Sequence, residues 1–288
     1  MISYLRQSLT LIVIAIFLHS CSSSPSEKRK QKRTVSDDEL DSIALIYDPK
    51  KTDPRYEDFV LRLHKRSSFN GNVLIAKKGK IVYQRAIGWA DYLHRDSLKI
   101  NSVFELASVS KPFTSVGIMM LVEDGKLGLD QNVKEFYPEF PYDSITVRML
   151  LSHRSGMMNY VYFVDGIWKK AKRDERPGIT NQEVLKLIAE HKPNPYMKPG
   201  KKFHYNNSNY MVLAAIIEKI SGRKYSKYMA ENVFKPAGLK NTAVYSKAEY
   251  DKIPVDVVGH DRTWRRSVAQ NFLDGPVGDK GIYSTIHD

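Results

Sequence analysis

The chain has 288 residues, of which 42% are apolar and 27% charged, proportions that are ordinary for a globular protein, so disorder over most of the chain is not expected. Its 45 Lys and Arg against 32 Asp and Glu give a net charge of +13, but no basic stripe coincides with a nucleic-acid-binding motif. We therefore interpret the charge as a cationic surface and expect no nucleic-acid partner.

Residues 1–21 have the pattern of an export signal. Arg6 supplies a positive charge, and the apolar stretch from Leu9 to Leu18 is shorter than a membrane-spanning helix requires. The only cysteine of the chain, Cys21, ends this stretch, and Leu18-His19-Ser20-Cys21 resembles a bacterial lipobox with an unusual histidine. We predict a lipoprotein signal peptide, lipidation of Cys21, and a protein exported to the cell envelope and lipid-anchored to the membrane. An ordinary signal peptide and an uncleaved anchor are the alternatives.

Residues 22–55 are polar and rich in Ser, Lys and Asp, which predicts a tether between the membrane and a folded domain. A short helix is predicted within the tether, from Asp38 to Ile46. Residues 56–288 are numerous enough to bury a sizeable core, and we expect them to form one globular domain.

The domain begins with the pattern of a helix and a hairpin. Glu57 to Lys65 has apolar residues on one side, which predicts a helix. Gly71 to Ala76 and Lys80 to Ala86 are predicted strands, joined by a turn in which Gly79 tolerates a positive φ. The first strand contains the continuous apolar run Val73 to Ala76, which is typical of a strand that is covered on both faces.

Helices dominate the rest of the domain. Pro112 to Val122 is apolar almost all the way round, which is typical of a helix in the middle of a structure. Further helices are predicted over Asn181–His191, Ser208–Ser221 and Lys224–Phe234, and Gly222 suits the position just after the second of these. Helices that interrupt an early hairpin indicate an α+β fold with a helical subdomain.

The chemistry that the sequence suggests begins at Ser108-Val109-Ser110-Lys111, at the start of the apolar helix. Residues three apart on a helix share a face, so the serine hydroxyl and the lysine amine can meet. A hydroxyl becomes a nucleophile when a base removes its proton, and an amine can be that base only if burial or a nearby charge makes it less basic. On the tetrapeptide alone, an N-cap serine and a solvated lysine are the simpler interpretation. A second match, Ser221 to Lys224, is interrupted by Gly222 at a helix end and serves as a control.

Tyr205-Asn206-Asn207 is the only Y-x-N sequence of the chain, and it leads from Pro199-Gly200 straight into an apolar helix. A loop at a helix start can aim a phenol and an amide into a cleft. A tyrosine beside a lysine can relay a proton, and an asparagine can hold a substrate amide. The alternative is a turn, because Asn-rich stretches also cap helices without a chemical role.

Five segments of the chain stand in an order that occurs in one protein superfamily: Phe104–Lys111, Leu150–Met157, Lys198–Tyr210, Pro236–Thr242 and Gly281–Thr285. They resemble the motifs of serine β-lactamases and penicillin-binding proteins, in the branch related to class C β-lactamases. The resemblance runs from about residue 57 to the end of the chain. It implies an α+β fold in which helices flank an antiparallel sheet beside a helical subdomain, and a serine hydrolase that forms an acyl-enzyme.

The resemblance implies a role for each residue that matches its motifs. Ser108 would be the acylated nucleophile and Lys111 its activating partner. Tyr205 would relay protons, and Asn207 would bind substrate. Which group is the general base stays open, because it is argued over in related enzymes. No cofactor and no metal are expected.

His153 and Ser155 are residue types that suggest catalysis, but the resemblance makes both structural. The family's third motif, lysine-threonine-glycine or histidine-x-glycine, occurs nowhere in the chain, which ends at Asp288. In the family that motif lies on a late strand, which also donates one backbone N–H of the oxyanion hole. We therefore expect a domain truncated at its C-terminus, without part of its sheet and of its site.

The resemblance implies acyl-enzyme chemistry on a small-molecule substrate or a peptidoglycan-type peptide. The sequence leaves open whether the substrate is a β-lactam, a D-Ala-D-Ala peptide, an amide or an ester. It also leaves the oligomeric state open. An α/β-hydrolase is disfavoured because the chain contains no G-x-S-x-G, and a metalloenzyme because its eight histidines form no ligand motif. A non-catalytic penicillin-binding or sensor protein on the same fold stays open, since a fold does not fix a function.

Overall fold

The structure, a computed structural model, describes residues 52–171, 178–245, 257–261, 263–265 and 272–288. The predicted signal peptide, Cys21, the tether up to residue 51 and the helix predicted from Asp38 to Ile46 lie outside the described residues. No helix in the described part of the chain is long and apolar enough to cross a membrane.

The first helix, α1 (Pro54–Ser67), covers the predicted helix and extends it at both ends. Asp53 caps its start by accepting a hydrogen bond from the backbone N–H of Arg55, and Ser68 ends it in the left-handed conformation at φ 52°. Strands β1 (Gly71–Lys77) and β2 (Lys80–Ile87) form the predicted antiparallel hairpin.

The hairpin is less covered than the apolar run of β1 predicts. The side chains of residues 73–75 are only partly buried, and among the described strands β1 pairs with β2 alone. Tyr83 of β2 is 3% exposed, contacts the ring of Tyr56 and donates a hydrogen bond to Glu57 of α1 at 2.8 Å. The expectation of a strand covered on both faces is wrong for the described structure, because the contacts that bury the hairpin come from α1 on the Tyr83 side.

The remaining described strands are short. β3 (Trp89–Asp91) pairs with β4 (Asp96–Ser97), and a three-stranded antiparallel sheet has the order β5 (Phe104–Glu105), β7 (Ile282–Ser284), β6 (Ala243–Val244). The last strand in the chain is thus the central strand of this sheet. Because β5 leads directly into the S-x-x-K segment, the sheet brings the C-terminal strand close to the start of that segment.

The helices that follow lie close to their predicted bounds. Two of them match within one residue, and the helix predicted to end at Phe234 changes from α to π geometry at Ala230. Gly222 ends its helix at φ 65°, in the left-handed conformation that suits a glycine. In chain order the described helices are α2 (Ser110–Glu123), α3 (Val147–Leu151), α4 (Tyr160–Ala171), α5 (Asn181–His191), α6 (Asn207–Ser221) and α7 (Tyr225–Met229), which continues into the π turn Ala230–Phe234.

The centre of the fold is α6. Residues 211–217 have no exposed surface, and the helix contacts α2, α3, α4, α5 and α7. Helix α2 has a buried side with Ile118 and Leu121, but Val116 and Met119 on its other side are 48% and 45% exposed. The prediction that α2 lies in the middle of the structure and not on its surface therefore holds for one side of the helix only. Both helices are apolar, and only their neighbours decide which one is enclosed. Antiparallel strands with a helical core confirm the predicted α+β class.

Candidate active site

Ser108 lies in a tight turn between β5 and α2. It is the middle residue of a 3₁₀ turn, Ala107–Val109, and the α-helix begins only at Ser110. Ala107 has φ 45°, a left-handed conformation that costs free energy in a residue with a Cβ. Ser108 is exposed and Lys111 is only 5% exposed. The turn therefore presents the hydroxyl at the surface and keeps the amine in the interior.

Three of the predicted site residues meet at one atom. Lys111 Nζ lies 3.0 Å from Ser108 Oγ, and the Tyr205 hydroxyl lies 2.7 Å from the same Oγ. Lys111 also donates a hydrogen bond to the backbone carbonyl of Asp279 at 2.9 Å, and its Nζ lies 4.9 Å from the centre of the Tyr205 ring. The serine hydroxyl thus has an amine and a phenol as neighbours.

The hydrogen bonds at Ser108 limit how its proton can leave. A serine oxygen carries one proton and accepts hydrogen bonds at two lone pairs. While Lys111 and Tyr205 both donate to it, the serine proton points at neither group. The hydroxyl can lose its proton to this pair only when the amine or the phenol has first given up a proton and become an acceptor. The geometry allows either group to be the base.

The loop that carries Tyr205 is held in place by the next residue, Asn206, which is 1% exposed. Asn206 caps α6, because its Oδ1 accepts a hydrogen bond from the backbone N–H of Ser208 at 2.9 Å. Its side-chain amide donates to the carbonyl of Met157 at 2.6 Å, and its backbone N–H donates to Nδ1 of His153 at 3.1 Å. These bonds fix the start of α6 and, with it, the direction of Tyr205.

His153 is a buried, neutral imidazole. Burial, and after it the positive charge of Lys111, lowers the pKa of His153 from 6.5 to about 4. Its Nδ1 accepts hydrogen bonds, one of them from the side-chain amide of Asn209 at 3.0 Å, so the ring proton lies on Nε2. The ring centre lies 4.6 Å from that of Tyr205. His153 thus supports the tyrosine, and Ser155 acts one step further away by donating to Oδ1 of Asn209 at 2.5 Å.

Asn207, the fourth predicted site residue, is the first residue of α6 and is partly buried. In the described structure it makes no hydrogen bond to Ser108 or Lys111, so the structure does not bring it into the group formed by the serine, the lysine and the tyrosine. Its Oδ1 is buried and has no hydrogen-bond partner among the described residues. This oxygen is an acceptor without a partner, and a ligand N–H can reach it once the side chain turns toward the cleft.

A segment near the C-terminus, residues 278–282, packs against the site. Its end belongs to the motif Gly281–Thr285 that the sequence indicates, but sequence reasoning missed the part that contains Gly278 and Asp279. The hydroxyl of Thr114 in α2 donates a hydrogen bond to the carbonyl of Gly278 at 2.7 Å. Four residues on, the backbone N–H of Ile282 donates to Ser110 Oγ at 3.1 Å. These bonds hold the segment against the helix that carries Lys111.

Two glycines with positive φ shape the segment, and one of them, Gly278, lies directly against α6. Gly278 has φ 104°, and a Cβ there would lie 2.5 Å from the backbone oxygen of Tyr210 in α6. Gly281 has φ 93°. Both values lie in the region that favours glycine, so this pair of glycines was the signal in the sequence that could have pointed to the segment.

Between these glycines, Asp279 brings a carboxyl group into the interior. It is 1% exposed, and burial raises its pKa from 3.8 to about 6, against the opposing effect of the positive charges on Lys280 and Lys111. Its Oδ2 accepts a hydrogen bond from the hydroxyl of Tyr160 at 3.1 Å. Burial also raises the pKa of Tyr160 well above 10, so its hydroxyl stays a donor.

In the described part of the chain, no group of three His, Cys, Asp or Glu side chains is arranged to hold a metal ion. What the site offers is an exposed hydroxyl in contact with an amine and a phenol. Such a set of groups is suited to nucleophilic acyl transfer.

The chain is similar to known proteins in sequence and in fold. A family model described as Beta-lactamase matches residues 62–288. Over 185 residues the chain is 39% identical to penicillin-binding protein 4* of Bacillus subtilis (strain 168), which covers 64% of this chain and 40% of that protein. Over 244 residues it is 27% identical to the teichoic acid D-alanine hydrolase of Staphylococcus aureus, which covers 84% of this chain and 57% of that protein. The octameric penicillin-binding protein homologue from Pyrococcus abyssi matches with a TM-score of 0.67 and 29% identity, over 81% of this chain and 53% of that one. The chain thus spans about half the length of the relatives it matches.

Proposed function

The chain belongs to the β-lactamase family, and on that premise we propose that it is a serine hydrolase in which substrate acylates Ser108 and water then releases the acyl group. One observation carries the proposal. The amine of Lys111 and the phenol of Tyr205 both reach Ser108 Oγ, at 3.0 and 2.7 Å. An exposed hydroxyl with two such neighbours has the partners that an activated nucleophile needs.

In the proposed acylation, Ser108 Oγ forms a bond to the substrate carbonyl carbon while its proton passes to the pair formed by Lys111 and Tyr205. The bond to the leaving amine or alkoxide then breaks, and the leaving group takes a proton from the pair. In deacylation a water molecule adds to the acyl carbon and gives a proton to the pair, which returns one to the departing serine oxygen. A carboxylic acid is released, and the pair ends in its initial protonation state. Asn207 is proposed to accept a hydrogen bond from a substrate N–H at its free Oδ1.

We propose peptidoglycan-type D-alanyl peptides, or related amides and esters, as substrates ahead of β-lactams. A charged rim beside the site supports a substrate with a free carboxylate. Arg154, Lys198 and Lys201 are exposed and meet at the turn around Gly200, whose carbonyl accepts a hydrogen bond from Arg154 at 3.0 Å. None of the three has an ion pair among the described residues. Lys198 and Lys201 shortly precede Tyr205 in the chain, and Arg154 reaches the same turn from a distant segment. These cations would attract an anionic substrate, a property that D-alanyl peptides share with β-lactams, so they do not rank the two.

We further propose that the protein works at the cell envelope. Residues 1–21 would export it, a lipid on Cys21 would anchor it, and residues 22–55 would tether the domain of residues 56–288. Growth of the source cells with labelled palmitate is expected to label the wild type and not Cys21→Ala. Label that persists in this variant contradicts the anchor.

Covalent labelling tests the nucleophile. We expect a fluorophosphonate to label the wild type and not Ser108→Ala. The matched control is Ser221→Ala, because Ser221 has the second S-x-x-K match but lies at the end of α6, bonded to the backbone of Arg223. Ser110 is a poorer control, since its Oγ holds the backbone N–H of Ile282. Labelling that survives in Ser108→Ala, or is lost in Ser221→Ala, contradicts the proposal.

Turnover separates a hydrolase from a non-catalytic penicillin-binding or sensor protein. Hydrolysis of a D-Ala-D-Ala peptide, a p-nitrophenyl ester and nitrocefin can be compared with the same preparation. We expect faster turnover of the peptide or the ester than of nitrocefin. A label that forms on Ser108 without turnover of any of the three would indicate a receptor.

A further inference from the structure

The carboxyl group of Asp279 takes no part in the steps proposed above, although the backbone carbonyl of this residue contacts Lys111. The side chain is 1% exposed, with Oδ2 bonded to Tyr160 and Oδ1 buried without a hydrogen-bond partner in the described part of the chain. A buried carboxylate that leaves half of its acceptor capacity unused is unfavourable for folding. A group of this kind beside a reactive serine is a candidate for a functional role.

The charges around Asp279 single out Lys111. Two cations, Lys280 and Lys111, interact with the carboxyl group strongly enough to oppose the effect of burial on its pKa. Lys280 already has a carboxylate partner, because its Nζ lies 2.7 Å from Asp274. The amine of Lys111 bonds only to neutral oxygens, at Ser108 and at the backbone carbonyl of Asp279. Lys111 forms no ion pair with a carboxylate in the described part of the chain, and the acidic residue that contacts its amine is Asp279, through the backbone carbonyl.

Tyr160 links the carboxyl group of Asp279 to the start of α6, next to Tyr205. Its hydroxyl holds Oδ2 of Asp279 at 3.1 Å, and its backbone N–H donates to Ser208 Oγ at 2.7 Å. Ser208 lies in the first turn of α6, three residues after Tyr205. One residue thus fixes the carboxyl group relative to the helix start that carries the phenol.

We propose that Asp279, held by Tyr160, is a positioning residue for Lys111: its backbone carbonyl holds the amine at Ser108 Oγ, and its buried carboxylate stabilises the positive charge that forms when the amine takes up the serine proton. The carboxylate does not touch the substrate. The inference rests on the proposed role of Ser108 as nucleophile. Because the carboxylate acts through its charge, the rate of acylation should follow its ionisation.

The expected pH dependence follows from the pKa of Asp279, which burial raises to about 6. Above that pH the carboxyl group is ionised, and below it the group is neutral and no longer supports the amine, so acylation slows as the pH falls through about 6. The pKa of His153 is about 4, so protonation of His153 does not account for a decrease in the acylation rate near pH 6, which we call the acidic limb of the pH profile. The titratable and charged groups that face the carboxyl group are Lys111 of α2, Tyr160 of α4, Tyr225 of α7, and Lys280 with its partner Asp274.

The test is the rate constant for labelling of the full chain by an uncharged fluorophosphonate, measured between about pH 5 and about pH 9. Wild-type labelling should fall below about pH 6. Asp279→Asn keeps the backbone carbonyl and the shape of the side chain, and should label about 10- to 100-fold more slowly above about pH 7, with no limb near pH 6. Tyr160→Phe removes a donor that favours the ionised carboxylate, so its limb should move to higher pH.

The outcomes are distinct. A limb that persists in Asp279→Asn, or labelling within about twofold of wild type above about pH 7, overturns the inference. If Asp279→Asn does not fold, Tyr160→Phe decides: a limb at higher pH supports the inference, and an unmoved limb overturns it. Asp124→Asn, just after the C-terminal end of α2 and partly buried beside Lys126, is the control and should keep the wild-type rate and pH dependence. Failure of the proposed function looks different, because Ser108→Ala would then label like the wild type.

Discussion

Asp279→Asn should change the pH dependence of stability as well as that of acylation. The folded-state pKa of Asp279 is about 6, above its unfolded value of 3.8. The folded protein therefore binds this proton more readily, so the side chain destabilises the fold above about pH 6, and that penalty disappears as the pH falls towards 3.8. A shift of about 2 units at about 1.36 kcal/mol each corresponds to about 3 kcal/mol over the whole range.

Urea unfolding of wild type and variant at about pH 7 and about pH 4.5 measures most of this effect. At the higher pH the carboxyl group of Asp279 is ionised in both states, and at the lower pH it is protonated mainly in the folded state. The wild type should therefore gain about 2 kcal/mol relative to Asp279→Asn between the two pH values. Asparagine does not titrate, so the difference between the two proteins isolates this one group. An equal difference at both pH values would refute the reasoning that the buried carboxyl group has a raised pKa.

Other residues of the site should respond in ways that differ in sign and size. His153→Asn should show the opposite pH effect in the same unfolding assay, because burial lowers the pKa of His153 to about 4. As the pH falls from about 7 to about 4.5, the free energy of unfolding of the wild type should decrease by about 2 kcal/mol relative to that of the variant. Lys111→Ala should slow fluorophosphonate labelling by about 10²-fold or more, because it removes the amine that lies 3.0 Å from the serine oxygen. Tyr205→Phe should slow labelling less than Lys111→Ala does if the phenol only relays protons. Gly278→Ala should lower the free energy of urea unfolding by about 2–4 kcal/mol, because the new Cβ would lie 2.5 Å from a backbone oxygen of α6.

Matched controls separate these effects from general damage. Gly125→Ala also places a Cβ at a positive φ, 69°, but with nothing within 4 Å, so it should cost only about 1 kcal/mol of backbone strain. If Gly278→Ala costs no more than that, the close approach of its segment to α6 does not constrain the fold. Lys126→Ala, at an exposed lysine, should label like the wild type. A stability difference for His153→Asn that does not change with pH would contradict a buried neutral imidazole.

Features that depend on neighbours in the chain could be predicted from the sequence. Helix α5 starts where predicted because Thr180 and Glu183 form a capping box, and α6 ends at Gly222 because a glycine adopts the left-handed conformation without strain. Lys111 reaches Ser108 because the two residues are three apart, in a turn that leads into a helix. The third partner, Tyr205, comes from a distant segment and was predicted only through the resemblance of ordered motifs.

The surroundings of these features depend on contacts between distant segments, which the fold alone reveals. It put α6 rather than α2 at the centre, because two apolar helices of similar composition are distinguished by the elements that pack around them. It brought the backbone carbonyl of Asp279 to Lys111, 168 residues away in the chain, and packed the segment that carries Asp279 against α2, α4 and α6. The pKa values of Asp279 and His153 depend on burial and on charges supplied by distant segments, and the local pattern around neither residue encodes those distances.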